Sequence, residues 1–183
     1  MPRQVHLFES PTRFVAGTVG QPGDRTFYLQ ASDESGRTVS VALEKTQVQV
    51  LADRMHELLD EVAGRASTAI PPEAEPDDLE PLTAPVDEEF RVAAMGLAWD
   101  GDADAVVVEA VAAGEEPIDE EAILSDSDDG PDALRVTITP MAARAFVARA
   151  RRVIAAGRPP CPLCSLPLDP AGHVCPRQNG YRR

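Results

Sequence analysis

Aromatic side chains, lysine and long hydrophobic runs are scarce in this sequence of 183 residues. Aromatic residues make up 4% of it, so a core has to be built mainly from Val, Leu, Ile and Ala. No apolar run approaches the ~18 residues that a transmembrane helix needs, which excludes an integral helical membrane protein. Residues 1–6 contain neither an apolar segment nor a small-residue cleavage site, so we expect a cytoplasmic rather than a secreted protein.

The charge of the chain is distributed over three unequal segments. The formal net charge is −14. Residues 1–65 carry a net charge of −2, residues 66–134 hold 21 acidic side chains against Arg91 alone, and residues 135–183 hold nine arginines against Asp169. Proteins that bind nucleic acid present basic residues to the phosphates. Only the last quarter of this chain could supply such a surface.

Short strands are predicted for the N-terminal third. Apolar and polar residues alternate along several short runs, and turns rich in Gly, Pro, Asp and Ser separate them. The runs cover residues 4–9, 12–19, 25–31 and 38–43. Strands joined by such short turns pair antiparallel and need no crossover helix. The sequence therefore predicts a β-meander.

A helix is predicted after the fourth strand. Thr46 and Gln49 have the spacing of a capping box, in which the Thr side chain caps a backbone N–H group and the Gln side chain reaches back. Apolar residues then recur at steps of three and four, ending near Gly64: Val48, Leu51, Met55, Leu58 and Val62. This period places them on one helix face, which we expect to pack on the sheet.

The second half of the chain repeats this succession. A second helix is predicted to begin with Thr139 as its N-cap and Pro140 at its first position, and to end at Gly157. The strands predicted before it cover residues 89–99, 104–112 and 134–139. The similarity of the two halves is compatible with a duplicated β-β-β-α unit. Two unrelated halves with α+β patterning would show the same succession of elements.

The predicted fold class is α+β, with an antiparallel β-meander sheet on which two long helices pack. This main domain spans residues 1–157 and includes two acidic, proline-containing segments, residues 67–86 and 114–132, which are predicted to be an exposed linker and a loop. Residues 158–183 form a small tail resembling a zinc knuckle. The tail is too short to build an apolar core of its own.

All three cysteines lie in this tail, in the pattern C-x2-C-x8-H-x-C. The pattern offers three thiolates and one imidazole: Cys161, Cys164, His173 and Cys175. Zinc prefers four tetrahedral sulfur and nitrogen ligands, and a C-x-x-C turn presents two of them to one ion. The spacer, residues 165–172, contains two prolines and a glycine and can fold back as a tight loop. The sequence thus predicts a structural Zn²⁺ site whose loss unfolds residues 160–180.

Other uses of these cysteines fit the pattern less well. An odd number of cysteines and the absence of a signal peptide disfavour a disulfide framework. A thioredoxin-like pair requires a C-x-x-C at the start of a helix, whereas prolines flank Cys161 here. A catalytic zinc keeps one position open for water, but four ligands close this site. Redox or iron–sulfur chemistry and a segment without metal remain the alternatives.

Weaker candidates have structural explanations. His6 and His56 have no ligand partner at a useful spacing. Asp100, Asp102 and Asp104 resemble the start of a calcium-binding loop, but the Gly and Glu that such a loop requires are missing, so a solvated turn is favoured. No phosphate-binding or nucleophile motif occurs. We therefore assign no catalytic and no cofactor-binding residues.

Several blocks of the sequence resemble an uncharacterised family of actinobacterial proteins that contains a domain of unknown function. The blocks are residues 6–20, 25–31 and 43–48, together with the C-terminal Cys-Pro-x-Cys and His-x-Cys-Pro motifs. The resemblance implies a cytoplasmic protein and supplies no catalytic residues. It also implies a genomic neighbour that is similar to phosphatidylinositol kinases, and hence a protein partner of that kind.

Three functions are compatible with the sequence. The favoured one is a non-catalytic binding or adaptor protein whose zinc-bound tail is a recognition surface. The second is a nucleic-acid-binding protein that uses the arginines near the metal motif: Arg144, Arg149, Arg151, Arg152, Arg158, Arg177, Arg182 and Arg183. The third is an enzyme with a polar pocket formed by residues from the distinctive blocks: Arg13, Arg25, Tyr28, Glu44 and Lys45.

Overall fold

The computed structural model describes residues 3–66, 69–114, 118, 123–125, 127, 129–168 and 172–177. Within them the chain forms seven strands and two helices. The strands are β1 (Val5–Glu9), β2 (Arg13–Gln21), β3 (Asp24–Ser32), β4 (Thr38–Leu43), β5 (Glu88–Asp100), β6 (Ala105–Ala112) and β7 (Ala133–Ile138). The helices are α1 (Lys45–Val62), between β4 and β5, and α2 (Pro140–Ala155), after β7. Neither of these helices is long and apolar enough to cross a membrane.

All seven strands belong to one sheet, in the order β1-β7-β6-β5-β4-β3-β2. Strands β2, β3 and β4 form one antiparallel meander and β5, β6 and β7 form another. The two meanders meet where β4 and β5 pair in parallel. The predicted α+β class is confirmed, and the chain contains two successive β-β-β-α units.

Strand β1 lies outside these units, at the edge of the sheet opposite β2. It pairs in parallel with β7, from Val5 opposite Ala133 to Glu9 opposite Thr137. Only residues 10–12 join β1 to β2, and such a link spans at most about 14 Å. A flat sheet would separate its outer strands by about 29 Å. The sheet is therefore strongly curled, and its two edges approach each other at this end.

The placement of β1 corrects the prediction of a single N-terminal meander. Contacts across the gap confirm the approach of the edges: Arg37, from the β3–β4 turn, donates to the carbonyl of Leu7 in β1. Its guanidinium carbon also lies 4.1 Å from the centre of the Phe8 ring. The alternation of residues 4–9 predicts a strand but not its neighbour, because pairing partners are chosen by long-range packing.

Helix α1 begins two residues earlier than the predicted capping box requires. Strand β4 ends at Leu43, and Glu44 alone separates the two elements. The Glu44 N–H donates to Oε1 of Gln47 at 2.8 Å, so the box is formed by these residues and the prediction of Thr46 and Gln49 is wrong. Helix α2 begins as predicted, because Oγ1 of Thr139 accepts from the Ala142 N–H at 3.2 Å.

The core lies between one face of the sheet and both helices, and it is largely aliphatic. Val, Leu, Ile, Ala and Met dominate it, while the few aromatic residues occupy its margin as well as its interior. The rings of Phe14 in β2 and Phe146 in α2 stack with their centres 4.8 Å apart. Among the described residues, this stacked pair and the hydrogen bond from Arg149 of α2 to Ala16 O at 2.9 Å both join α2 to the edge strand β2.

The first acidic segment is bound to the domain instead of extending from it. We call residues 69–87 the strap. Asp78 of the strap pairs with Arg149 of α2 at 3.0 Å and with Arg13 of β2. Farther along, the Leu82 side chain occupies the space beside Gly17, where a Cβ atom would lie 2.5 Å from it. The strap therefore passes around the edge strand β2 and covers it, which protects an otherwise open edge.

The second acidic segment covers the sheet face that is opposite the helices, as far as residues 118, 123–125, 127 and 129–132 describe it. Ile123 and Leu124 lie over Gly96 of β5. Glu109 of β6 has a fully buried side chain that pairs with Arg3 at 2.8 Å and with Arg135 at 2.6 Å. These pairs fix the start of the chain to β6 and β7.

Candidate metal centre

The tail begins where α2 ends against the β2–β3 turn. The Arg25 Nη1 atom donates to the carbonyl oxygens of Val153 at 3.3 Å and Ala156 at 3.4 Å. A cation at the C-terminus of a helix complements the negative end of its dipole. The Arg158 side chain then lies beside Gly23 in that turn. The sheet thereby fixes the point at which the tail departs.

Residues 159–168 fold into a short hairpin that carries the first two candidate ligands. The Cys161 N–H donates to Leu166 O at 2.7 Å, and the Leu168 N–H donates to Pro159 O at 2.8 Å. The chain turns back because the Ser165 N–H donates to Cys161 O at 2.8 Å, with Ser165 at a left-handed φ of 61°. This turn places the thiols of Cys161 and Cys164 on the same side.

The second pair of candidate ligands follows Gly172, whose φ of 124° suits glycine. The Cys175 Sγ atom lies 3.9 Å from Sγ of Cys161, and the His173 Nε2 atom lies 3.2 Å from Sγ of Cys164. All four ligand atoms lie within 4.8 Å of one another. The structure thus brings together the four residues that the sequence singled out.

The spacing of these atoms suits a metal ion. A zinc ion with Zn–S bonds of ~2.3 Å and a Zn–N bond of ~2.0 Å separates tetrahedral ligand atoms by roughly 3.5–3.8 Å. A disulfide would require the sulfur atoms to lie ~2.05 Å apart, whereas all three cysteines are free. Three sulfur donors and one imidazole nitrogen are also the donor set of structural zinc sites. The cluster can hold a metal ion.

The hairpin itself favours the thiolate form of one ligand. Backbone N–H groups of Cys164 and Leu163 donate to Sγ of Cys161 and lower the pKa of that thiol to about 6. Burial raises the pKa of Cys164, with a further contribution from the neighbouring sulfur atoms. The thiolate is the form that binds a metal, so a cation shared by these sulfur atoms would relieve their mutual repulsion.

The arginines predicted to form a nucleic-acid surface do not lie on one surface. Arg144 is buried, where it donates to Pro71 O at 2.8 Å and contacts Nδ1 of His56 at 2.7 Å. It also pairs with Asp60, whose carboxyl pKa this hydrogen bond lowers. Arg149 is buried and donates to Ala16 O at 2.9 Å. These two arginines bind the strap and α1.

The remaining arginines of that set differ in their environment. Arg151 and Arg152 are exposed, and Arg151 lies 3.4 Å from Asp53 of α1. Arg177 is exposed in the tail, where it donates to Leu163 O at 2.8 Å. Arg182 and Arg183 lie outside the described residues. Of the arginines predicted to bind nucleic acid, the exposed ones that the structure describes are therefore Arg151 and Arg152 on α2 and Arg177 in the tail.

The five residues proposed for an enzyme pocket do not form one. Arg13 lies at one end of the β2–β3 ribbon and binds the strap, whereas Arg25 lies at the other end and caps α2. Glu44 pairs with Arg91 at 3.1 Å beside the start of α1. Lys45 and Arg25 both lie beside Gly157 after the end of α2, whereas Tyr28 lies in β3.

The minor candidates have structural roles. His6 is buried in β1 with its Nε2 atom 3.5 Å from Oε1 of Glu89. Oδ1 of Asp100 accepts from the N–H groups of Asp102 and Ala103, each at 3.0 Å, which is the bonding of a polar turn. The predicted solvated turn is confirmed at this position.

Sequence reasoning missed one property of the metal centre. The residues interposed between the ligands are aliphatic and exposed, namely Leu163 and Val174, and Leu166 beside them is exposed as well. The sequence motif already indicates this exposure, because it has large apolar side chains in a tail that is too short to bury them in a core.

Comparison with known proteins identifies one family. A family model described as "Protein of unknown function (DUF3090)" matches residues 6–175. The match covers both β-β-β-α units and ends at the fourth candidate ligand. No curated protein and no solved structure matches the chain.

Proposed function

The chain belongs to the family DUF3090, and we propose that it is a non-catalytic, cytoplasmic binding protein whose tail is folded around a structural zinc ion. The observation that carries this proposal is the convergence of Cys161, Cys164, His173 and Cys175, whose ligand atoms lie within 4.8 Å of one another. Four protein ligands complete a tetrahedral zinc site and leave no open position for a substrate or an activated water molecule.

The chemistry of the proposed site supports a reducing compartment. The site uses three cysteines as ligands, and cytosolic glutathione and thioredoxin keep thiols reduced. A zinc ion would bind them as thiolates and protect them from oxidation. This combination supports a cytoplasmic location.

Metal analysis of the purified full-length protein tests the zinc site. We expect one zinc ion per chain, loss of that ion in Cys161→Ser, and faster proteolysis between residues 158 and 177 in the variant, because little else orders this segment. Leu166→Ser is the matched control, since it introduces the same side chain at an exposed position that is not a ligand. Absence of zinc from the native protein, or iron in its place, would contradict the proposal.

The binding role is tested with the partner that the sequence resemblance implies. We propose a protein partner similar to phosphatidylinositol kinases, and we expect the zinc-loaded chain to co-purify with it. The Cys161→Ser chain should lose the partner while keeping its sheet and helices, as judged by circular dichroism. A complex that forms equally well with the variant would show that the tail is not the recognition element.

A further inference from the structure

Three exposed aliphatic side chains lie between or next to the candidate metal ligands in the sequence. Leu163 is 46% exposed, Leu166 is 49% exposed and Val174 is 81% exposed. Leu163 lies between two ligands in sequence, Val174 lies between the other two, and Leu166 ends the hairpin turn. Because the ligand side chains turn toward one another, these interposed side chains turn outward. We call the three residues the aliphatic tip.

The tip differs from the ordinary scatter of surface hydrophobic residues. Val50, for example, is an exposed apolar side chain on α1, a helix that buries its other face in the core. In the tail, the buried residues among those described are Cys161 and Cys175. Exposed apolar side chains that are close together on one small unit are typical of protein-interaction sites.

The charge around the tip selects the kind of partner. The described part of the tail contains Arg158 and Arg177 and no acidic residue, and residues 158–183 hold four arginines against Asp169. The hydrogen bond from Arg177 to Leu163 O places a guanidinium group directly at the tip. Residues 1–157 carry a net charge of −17. An acidic segment would therefore be repelled by the main domain and attracted by the tail.

We propose that the aliphatic tip docks an acidic peptide segment with aliphatic side chains, supplied by a protein partner. Its aliphatic side chains cover Leu163, Leu166 and Val174, and its carboxylates face Arg177. A protein segment fits better than a nucleic acid, because the three aliphatic side chains of the tip offer apolar contact to a peptide but no flat ring on which a base could stack. The inference rests on the proposed function, since the metal ion holds the tip in one arrangement.

Short synthetic peptides test this surface on the zinc-loaded full-length protein. Three probes share alternating Leu and Ile residues, and their intervening residues are all Glu, all Gln or all Lys. We expect the Glu peptide to bind at least tenfold more tightly than the other two, and its affinity to fall as salt concentration rises. Val174→Asp should weaken its binding at least tenfold through lost apolar contact and added repulsion.

Val50→Asp, on α1, is the matched control and should bind the Glu peptide like the native chain. Zinc content is measured for both variants, so that loss of the surface is separated from loss of the metal. Equal binding of the three peptides, no binding, undiminished binding by Val174→Asp, or preference for a single-stranded oligonucleotide would overturn the proposal. Any of these results with one zinc ion retained would leave the structural zinc site standing.

Discussion

Two regions of this chain differ in the apolar side chains that they bury. Between the sheet and its helices, a cluster of buried aliphatic side chains excludes water, and α1 and α2 each contribute an apolar face to it. In the tail, Cys161 and Cys175 are the buried residues among those described, and no aliphatic side chain is buried with them. A domain with an apolar core gains stability from area removed from water, whereas a short segment without a core needs a covalent or metal link. The comparison predicts that each region responds to a different perturbation.

Removing the proposed zinc ion is expected to have the largest effect, and only on the tail. Structural zinc contributes roughly 10–16 kcal/mol to the folding of small zinc modules, far more than the tail can gain elsewhere. A strong chelator should abolish the protection of the Cys161 and Leu168 amides in hydrogen-exchange mass spectrometry. Protection of β6 should stay unchanged in the same sample. If β6 loses protection together with the tail, the two regions form one cooperative unit and the contrast between them fails.

Glu109→Gln should destabilise the main domain by about 4 kcal/mol, because it leaves the guanidinium groups of Arg3 and Arg135 without their buried counter-charge. Chemical denaturation followed by circular dichroism measures this loss. Glu57→Gln, on the exposed face of α1, provides the control. Zinc content should be the same in all three proteins. A change in zinc binding by Glu109→Gln would show that the buried charges support the tail.

Leu59→Ala should cost about 3 kcal/mol, since it removes a fully buried side chain from the core face of α1. Leu79→Ala, at an exposed position of the strap, should change the free energy of unfolding by less than about 0.5 kcal/mol. Both values come from denaturant titration. Similar losses for the two variants would mean that the strap carries as much apolar packing as the core.

Asp78→Asn should cost less than Glu109→Gln or Leu59→Ala, about 1 kcal/mol near neutral pH, because its ion pairs are partly exposed to solvent. The hydrogen bond from Arg13 lowers the carboxyl pKa of Asp78. Its contribution is therefore complete above the unfolded-state value of ~3.9 and disappears as the pH falls through the lower folded-state pKa.

The difference in stability between the native chain and Asp78→Asn should shrink accordingly below about pH 4. Asp77→Asn, one residue earlier in the strap, serves as the control. A difference that stayed constant through the acid range would mean that Asp78 acts through packing and not through its charge.

The features that could be predicted from the sequence are those that depend on residues close to one another in the chain. The strands, the Thr139 cap and the grouping of the four metal-ligand candidates depend on neighbouring residues, and the structure reproduces them. Helix α1 begins two residues before its predicted start, because Glu44 alone separates the helix from β4. A capping pattern indicates that a helix begins, but the preceding strand decides where.

Features formed between distant residues could not be predicted in this way. The acidic and proline residues of the strap predict an exposed linker. The sequence does not show that Arg13 and Arg149 lie beside it and pair with Asp78. From the sequence, Arg149 is likewise predicted to be a basic surface residue, whereas in the structure it is buried and donates to Ala16 O. The division into residues 1–157 and 158–183 stays a prediction, which the chelation experiment addresses directly.

The parallel pairing of β1 with β7 governs the order in which the sheet can be completed during synthesis. Val5 and Ala133 are partners although 128 positions separate them in the chain. While the ribosome extends the chain, the β2-β3-β4 meander can pair as soon as it emerges, but β1 has no neighbour until β7 has followed. Of the seven strands, β1 is therefore made before the other six but gains its partner only when residues 133–138 have been made.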